Sequence, residues 1–146
     1  MNKKDELLRA DEARWEQMCS LLDRVPDWEK PGVAGEWSAK DLLGHVAAWH
    51  AVTMDRLEQF RMKGELPPAP PDVDEFNART CEENKDLSLH DVRVIAGASR
   101  HRFREELAML KEEDATKLEP IIISNAHGHY DEHIAQLEEY LDKENV

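Results

Sequence analysis

The chain has 146 residues, 40% of them hydrophobic and 35% charged, with a formal net charge of −13. That length suits one domain over 1–146 whose core needs no disulfide or metal staple. The acidic balance argues against a nucleic-acid partner, which requires a basic face to neutralise phosphates, and against anionic membrane surfaces.

No run approaches 18 uninterrupted apolar residues, and the N-terminal stretch MNKKDELLRADEARW has no apolar signal region. A cytoplasmic protein with no membrane partner is therefore expected. Cys19 and Cys81 form neither a CxxC motif nor a disulfide framework, and nothing near either in sequence would lower a thiol pKa.

Taken in chain order, the first helix is predicted over about residues 3–24, with Leu8, Trp15, Met18, Leu22 and Val25 at helical spacing and an end before Pro26. A Pro- and Gly-containing loop, DWEKPGVAGEW, follows. The second helix starts at Ser38. Ser38 with Asp41 resembles a capping box, and Trp37 can pack on Leu42 as a hydrophobic staple. Its inner stripe reads Leu42, His45, Trp49, Val52, Arg56, and the helix fades near Gly64. The proline-rich LPPAPPD cannot be helical throughout and marks a long crossover, with a short helix about Val73–Asn84 inside it.

The third long helix begins at Ser88, with a Leu87–Val92 staple and the stripe Val92, Ile95, Ser99, Phe103, Leu107, Leu110, and stops in KEED. A last helix is predicted from about Pro120, which suits the first helical position, to near Lys143. Its inner face reads Ile122, Ala126, His129, His133, Gln136 or Leu137, and Tyr140. No strand pattern competes with these periodicities. The expected fold is all-α: a four-helix bundle with a long crossover between the second and third helices.

His129 and His133 are an i, i+4 pair, so their imidazoles share one helix face. His45, on the inner stripe of the second helix, is the best-placed third ligand. Three neutral imidazoles suit Zn²⁺, Ni²⁺ or Fe²⁺ and leave open positions on the ion for chemistry. Asp131 and Glu132 flank the pair and are candidates to orient the rings. The intervening residues do not make HExxH, which removes the zinc-protease reading. Of the other histidines, His127 points nearly opposite to His129, and His50, His90 and His101 are expected to face solvent. Gly44 and Gly128 directly precede candidate ligands, and each implies a need for space, for helix approach or for a bound molecule.

The segments PGVAGEWSAKDLLGHVAAWH, DEFNARTCEENKDLSLHDV and GHYDEHIAQLEEYL, with the crossover, resemble the DinB-like superfamily over essentially the whole chain. That superfamily includes the bacillithiol transferase, maleylpyruvate isomerase and DfsB/ClbS-type groups. Its most specific parts here are W-S-x-K-D-x-x-x-H and H-x-x-x-H. The resemblance implies a four-helix bundle of unusual helix order and frequent homodimers. It also implies a metal bound by one histidine of the second helix and two of the last: His45, His129 and His133.

Two functions follow as expectations. One is a metal-dependent enzyme, a thiol S-transferase or a detoxifying hydrolase, acting on a small electrophilic substrate with a low-molecular-weight thiol as possible co-substrate. In it, Trp49 and Tyr140 would line an apolar wall and Arg56 would hold an anionic group, unless Arg56 merely snorkels at the bundle end. The other is a non-catalytic protein that sequesters a small molecule or a metal.

Overall fold

The computed structural model describes residues 2–145. Four long helices carry the fold: α1 (Lys3–Leu22), α2 (Ala39–Lys63), α4 (Leu89–Met109) and α7 (His127–Lys143). Shorter helices fill the connections: α3 (Val73–Asn84), α5 (Glu112–Lys117) and α6 (Glu119–Asn125). The chain is all-α, as expected.

Helix starts follow capping chemistry. The side chains of Asn2, Ser38, Asp72 and Ser88 each accept from a backbone N–H three residues on, and Ser38 and Asp41 form a complete capping box. Gly64, left-handed at φ 76°, ends α2 at the mouth of the crossover. The loop before α2 turns on Gly32 and Gly35, both at positive φ, and Val33 and Ala34 pair with Trp37 through backbone hydrogen bonds. That turn fixes Trp37 beside the start of α2.

Side-chain pairings set the helix directions. Lys4 reaches Ala108, Arg104 reaches Leu8, and Arg100 reaches Asp11, so α1 and α4 are antiparallel. Arg14 pairs with Asp131 near the start of α7, and Leu22 and Leu141 share a core cluster near its end, so α1 and α7 are parallel. Gly44 lies against Val92, while Arg61 pairs with Glu106, so α2 and α4 are parallel too. A parallel neighbour cannot follow through a tight turn, which is why the crossover from residue 64 to 88 is needed. The closest packed pairs are α2 on α4 and α1 on α7. Between α2 and α7 the backbones stand further apart, and the cavity described below opens there.

Three sequence expectations are corrected. The predicted final helix is broken: Ala126 takes φ −124°, ψ −119°, separating α6 from α7. KEED does not end helicity but leads into α5. On α4 the buried stripe is Val92, Ala96, Phe103, Leu107 and Leu110; Ile95 is 43% exposed. At Ala126 and on α4 apolar spacing continues across the change and hides it, whereas α4 does end at Met109, just ahead of KEED, and the charged segment then opens α5.

Three apolar clusters form the core, the smallest of them Leu43, Ala47, Val92 and Ala96 between α2 and α4. Of the larger two, one gathers Met18, Leu22, Leu42, Val46, Ile134, Leu137 and Leu141; the other gathers Leu7, Leu57, Phe103, Leu107, Leu110 and Ile122. Between them along α1 and α2 lie Asp11 and His50, each 0% exposed. Asp11 accepts from Tyr130 Oη at 2.6 Å, from Arg100 at 2.9 Å and from Arg104. Tyr130 has one proton, which goes to Asp11, so His50 Nε2–H donates to Tyr130 Oη at 2.5 Å. His50 also stacks on Phe103. It is therefore a core residue, not the solvent-facing one that its place off the stripe suggested. Sequence periodicity places it there poorly because polar partners, not apolar neighbours, justify its burial.

Candidate metal centre

α2 presents His45 about two turns after its capped start, and α7 presents His129 and His133 from consecutive turns just past the break at Ala126. The three Nε2 atoms converge. His129 Nε2 is 3.0 Å from His45 Nε2 and 2.8 Å from His133 Nε2. One ligand atom from each ring lies within 4.8 Å of the others. His45 and His133 are 8% and 3% exposed.

The tautomers decide what this convergence means. His133 Nδ1 lies 2.7 Å from Gln136 Oε1, an acceptor, so Nδ1 carries the proton and Nε2 presents a lone pair. That lone pair faces the Nε2 atoms of two more imidazoles. Burial first, and then the neighbouring His133, pushes the His45 pKa down to about 3, with Asn77 acting weakly the other way. Burial, followed by His133, His45 and His50, also lowers His129, and burial lowers His133. At neutral pH the rings therefore carry no positive charge of their own. Buried lone pairs turned on one another are electrostatically unfavourable unless a cation sits among them. Ligands about 2.0–2.1 Å from a shared divalent ion have nitrogens roughly 3 Å apart when they subtend about a right angle. The observed spacings fit that donor set.

The ring-orienting acceptor differs from the expectation. Asp131 turns to α1 and pairs with Arg14 at 3.1 Å. Gln136, three residues past His133, does the orienting; Leu137 beside it enters the core. Reading the inner face as one position or the other hid that both are used, one toward the rings and one toward the apolar cluster. The Nδ1 atoms of His45 and His129 are buried without a partner.

The cluster opens onto a cavity of about 700 Å³. His45, Trp49 and Arg56 line it from α2, Trp37 from the preceding loop, Asn77 from α3, and His129, His133 and Gln136 from α7. Trp37 lies over His45 with ring centroids 4.5 Å apart. Trp49 Nε1 donates to Asn77 Oδ1 at 2.8 Å, which leaves the indole face to the cavity. The α3 contribution, through Asn77, carried no signal in the sequence. Tyr140 lies elsewhere: it packs half-buried on the core cluster of α1 and α7 and does not line this cavity. Of the other histidines, His90 and His101 are exposed as expected, and His127 is partly buried.

The two glycines make room for different neighbours, a side chain of α3 at Gly44 and the backbone of α6 at Gly128. A Cβ on Gly44 would stand 3.0 Å from Asn84 Nδ2, and one on Gly128 would stand 2.8 Å from the Ile123 carbonyl oxygen. Gly128 thus permits the tight joint between α6 and α7 that sets His129 on course.

The family model described as DinB superfamily matches residues 7–137. The chain belongs to the DinB superfamily. No curated protein and no solved structure matches it.

Proposed function

We propose that this protein is a metal-dependent enzyme that joins a low-molecular-weight thiol to a small electrophile, or hydrolyses such an electrophile, at the three-histidine centre. The observation that carries the reading is the convergence of three neutral Nε2 atoms at the floor of a large cavity. His45, His129 and His133 would hold a divalent ion (zinc, nickel or iron), which would supply the positive charge that lowers the pKa of a bound thiol or water.

The chain's own residues do the rest. Gln136 holds His133 in the tautomer that offers Nε2. Trp37 and Trp49 wall the cavity against water, and the Trp49 face receives the apolar part of a substrate. Glu36 and Glu132 line the same cavity, and Glu132, on α7 between the two histidines, is the carboxylate we assign to take a proton there. We place the enzyme in the cytoplasm as a homodimer; no helix among the described residues is long and apolar enough to cross a membrane.

One observation favours a second reading, sequestration without turnover. The chain brings no thiol nucleophile of its own: Cys19 and Cys81 lie outside the cavity, and burial pushes the Cys19 thiol up to about 11. A single assay separates the two. Tag-free protein loaded with Zn²⁺ or Ni²⁺ is given a thiol and a generic electrophile. Turnover that disappears in His133→Ala supports the enzyme. Tight binding of the electrophile or the metal without turnover supports sequestration. Turnover unchanged in His133→Ala, or metal well below one equivalent, overturns the metal-centred reading.

A further inference from the structure

We infer that the cavity is built for an elongated organic anion, whose negatively charged head is held by Arg56 while its other end reaches the three imidazoles. This deepens the reading above and rests on it only for the end that meets the histidines.

The inference begins with the wall that α2 provides. His45, Trp49 and Arg56 are four and then seven residues apart, and all three line the cavity. At about 100° per residue they stay within roughly 40° of one another on the helix face. At ~1.5 Å per residue, Arg56 lies ~16 Å along the axis from His45, and its side chain leans back toward the helix start. The guanidinium therefore stands ~10–16 Å from the imidazole cluster, with the Trp49 ring between.

The second argument is the state of Arg56 itself. Its Nε donates to the carbonyl of Pro67 in the crossover at 2.8 Å, which fixes the plane of the fork. Among the described residues no carboxylate pairs with it, and its two terminal nitrogens have no hydrogen-bond partner. Most other arginines find carboxylates, among them Arg61 with Glu106, Arg100 with Asp11 and Glu12, and Arg79 with Glu75 and Glu83; Arg9 and Arg93, which have none among the described residues, are exposed and lie outside the cavity. Acidic residues outnumber lysine and arginine 32 to 19, so an arginine without one is not explained by scarcity. Burial alone lowers its pKa, with no acid raising it.

The third argument is charge selection. Among the described residues Arg56 is the one lysine or arginine that lines the cavity; Glu36 and Glu132 line it too, and both are exposed. A chain of net charge −13 repels anions in general. An anion that enters nonetheless needs a local, oriented donor, and a fixed guanidinium fork offers two parallel N–H groups to a carboxylate. Between the two ends the lining is neutral or apolar: Trp49, Ala69, Val73 and Ile121. The ligand class that matches is a carboxylate, or an anion of similar geometry, joined by an apolar or neutral stem to a thiol or an electrophilic carbon.

ω-Mercaptocarboxylates of increasing chain length, each beside the ω-mercapto alcohol of equal length, test this by calorimetric titration into metal-free and Zn²⁺-loaded protein. The expected result is a carboxylate preference of ~10-fold or more, greatest at the chain length that spans ~10–16 Å. Arg56→Met should abolish that preference and leave alcohol binding unchanged. Arg56→Lys should keep part of it, and Arg56→Gln, which retains a donor for Pro67, should lose it without losing the fold, as thermal melting will show. Equal affinities for carboxylate and alcohol, a preference that survives in both Arg56→Gln and Arg56→Met, or an optimum at the shortest chain would overturn the inference. Because the preference is also read in metal-free protein, it stands or falls apart from the metal. His133→Ala should remove the gain due to Zn²⁺ and leave the carboxylate-to-alcohol ratio intact.

Discussion

Two groups of buried polar residues sit side by side on α2 and α7, and they are finished differently. His50 and Tyr130 belong to one, and His45 and His129 to the other; Tyr130 and His129 are adjacent in the chain. In the first group the protein answers its own charge. Asp11 receives Tyr130, Arg100 and Arg104, Tyr130 receives His50, and none of these lines the cavity. In the second group three ring nitrogens meet with no carboxylate among them and a cavity beside them. Both are buried imidazole sites with depressed pKa values, so burial and pKa do not tell them apart. Each group leaves buried ring nitrogens without a partner, His50 Nδ1 in the first and His45 and His129 Nδ1 in the second; what separates them is that the carboxylate of Asp11 gathers the donors of the first, while three ring nitrogens of the second converge beside a cavity.

The strongest way to break this contrast is to unbalance the first group. Asp11→Ala leaves Arg100, whose side chain is 14% exposed, without its buried partner. Breaking a buried pair on one side costs about 3–5 kcal/mol. Urea unfolding should show that loss, while protein kept folded in the cold should still bind one equivalent of Zn²⁺ or Ni²⁺. A loss of metal with stability unchanged would reverse the assignment of the two groups. A smaller effect is expected at the second group's support. Gln136→Ala frees the His133 ring to change tautomer and should weaken metal affinity by about 10–100-fold. Its unfolding midpoint without metal should barely move, since Gln136 is half-buried and bonds only that ring. Competition with a chromophoric chelator reads the affinity directly.

The contrast also explains what was legible beforehand. Helix starts were readable because Ser38 and Ser88 cap with side chains that have few other reasons to precede an apolar stripe. The three-histidine cluster was readable because an i, i+4 pair and an inward histidine on another stripe have a geometric consequence that spacing alone states. The broken joint at Ala126 was not, because Ile122, Ala126 and His129 keep helical spacing across it; only the backbone clash a side chain at Gly128 would meet explains that residue. Nor was the layer at Asp11. Its partners come from residues 50, 100, 104 and 130, and each alone reads as an ordinary polar residue on a charged helix. Such a network exists only once four helices have docked. Arg56 falls between these cases: its place on the stripe was visible, but the lack of a carboxylate partner required the fold.

The pH dependence of stability sharpens the contrast with a smaller effect. Burial, and then the charge of Arg100, pushes the His50 pKa from 6.5 down to about 3. In the unfolded chain the same ring takes up a proton near its ordinary value. Between the two values the unfolded state binds more protons, so stability rises with pH across that window. The contribution is complete above pH 6.5 and drains away as the pH falls toward about 3. By pH 5 the loss from this one ring is about 2 kcal/mol. His45 and His129 add a slope of the same sign in metal-free protein, so a single curve does not isolate His50. The difference between wild type and His50→Gln does, because glutamine can still donate to Tyr130 but does not titrate. Urea midpoints of metal-free protein at pH 7 and pH 5 should converge between the two proteins by about that 2 kcal/mol at the lower pH. Parallel losses in both would mean that His50 is not held neutral by the layer, and the closed network around Asp11 that distinguishes it from the three-histidine cluster would be gone.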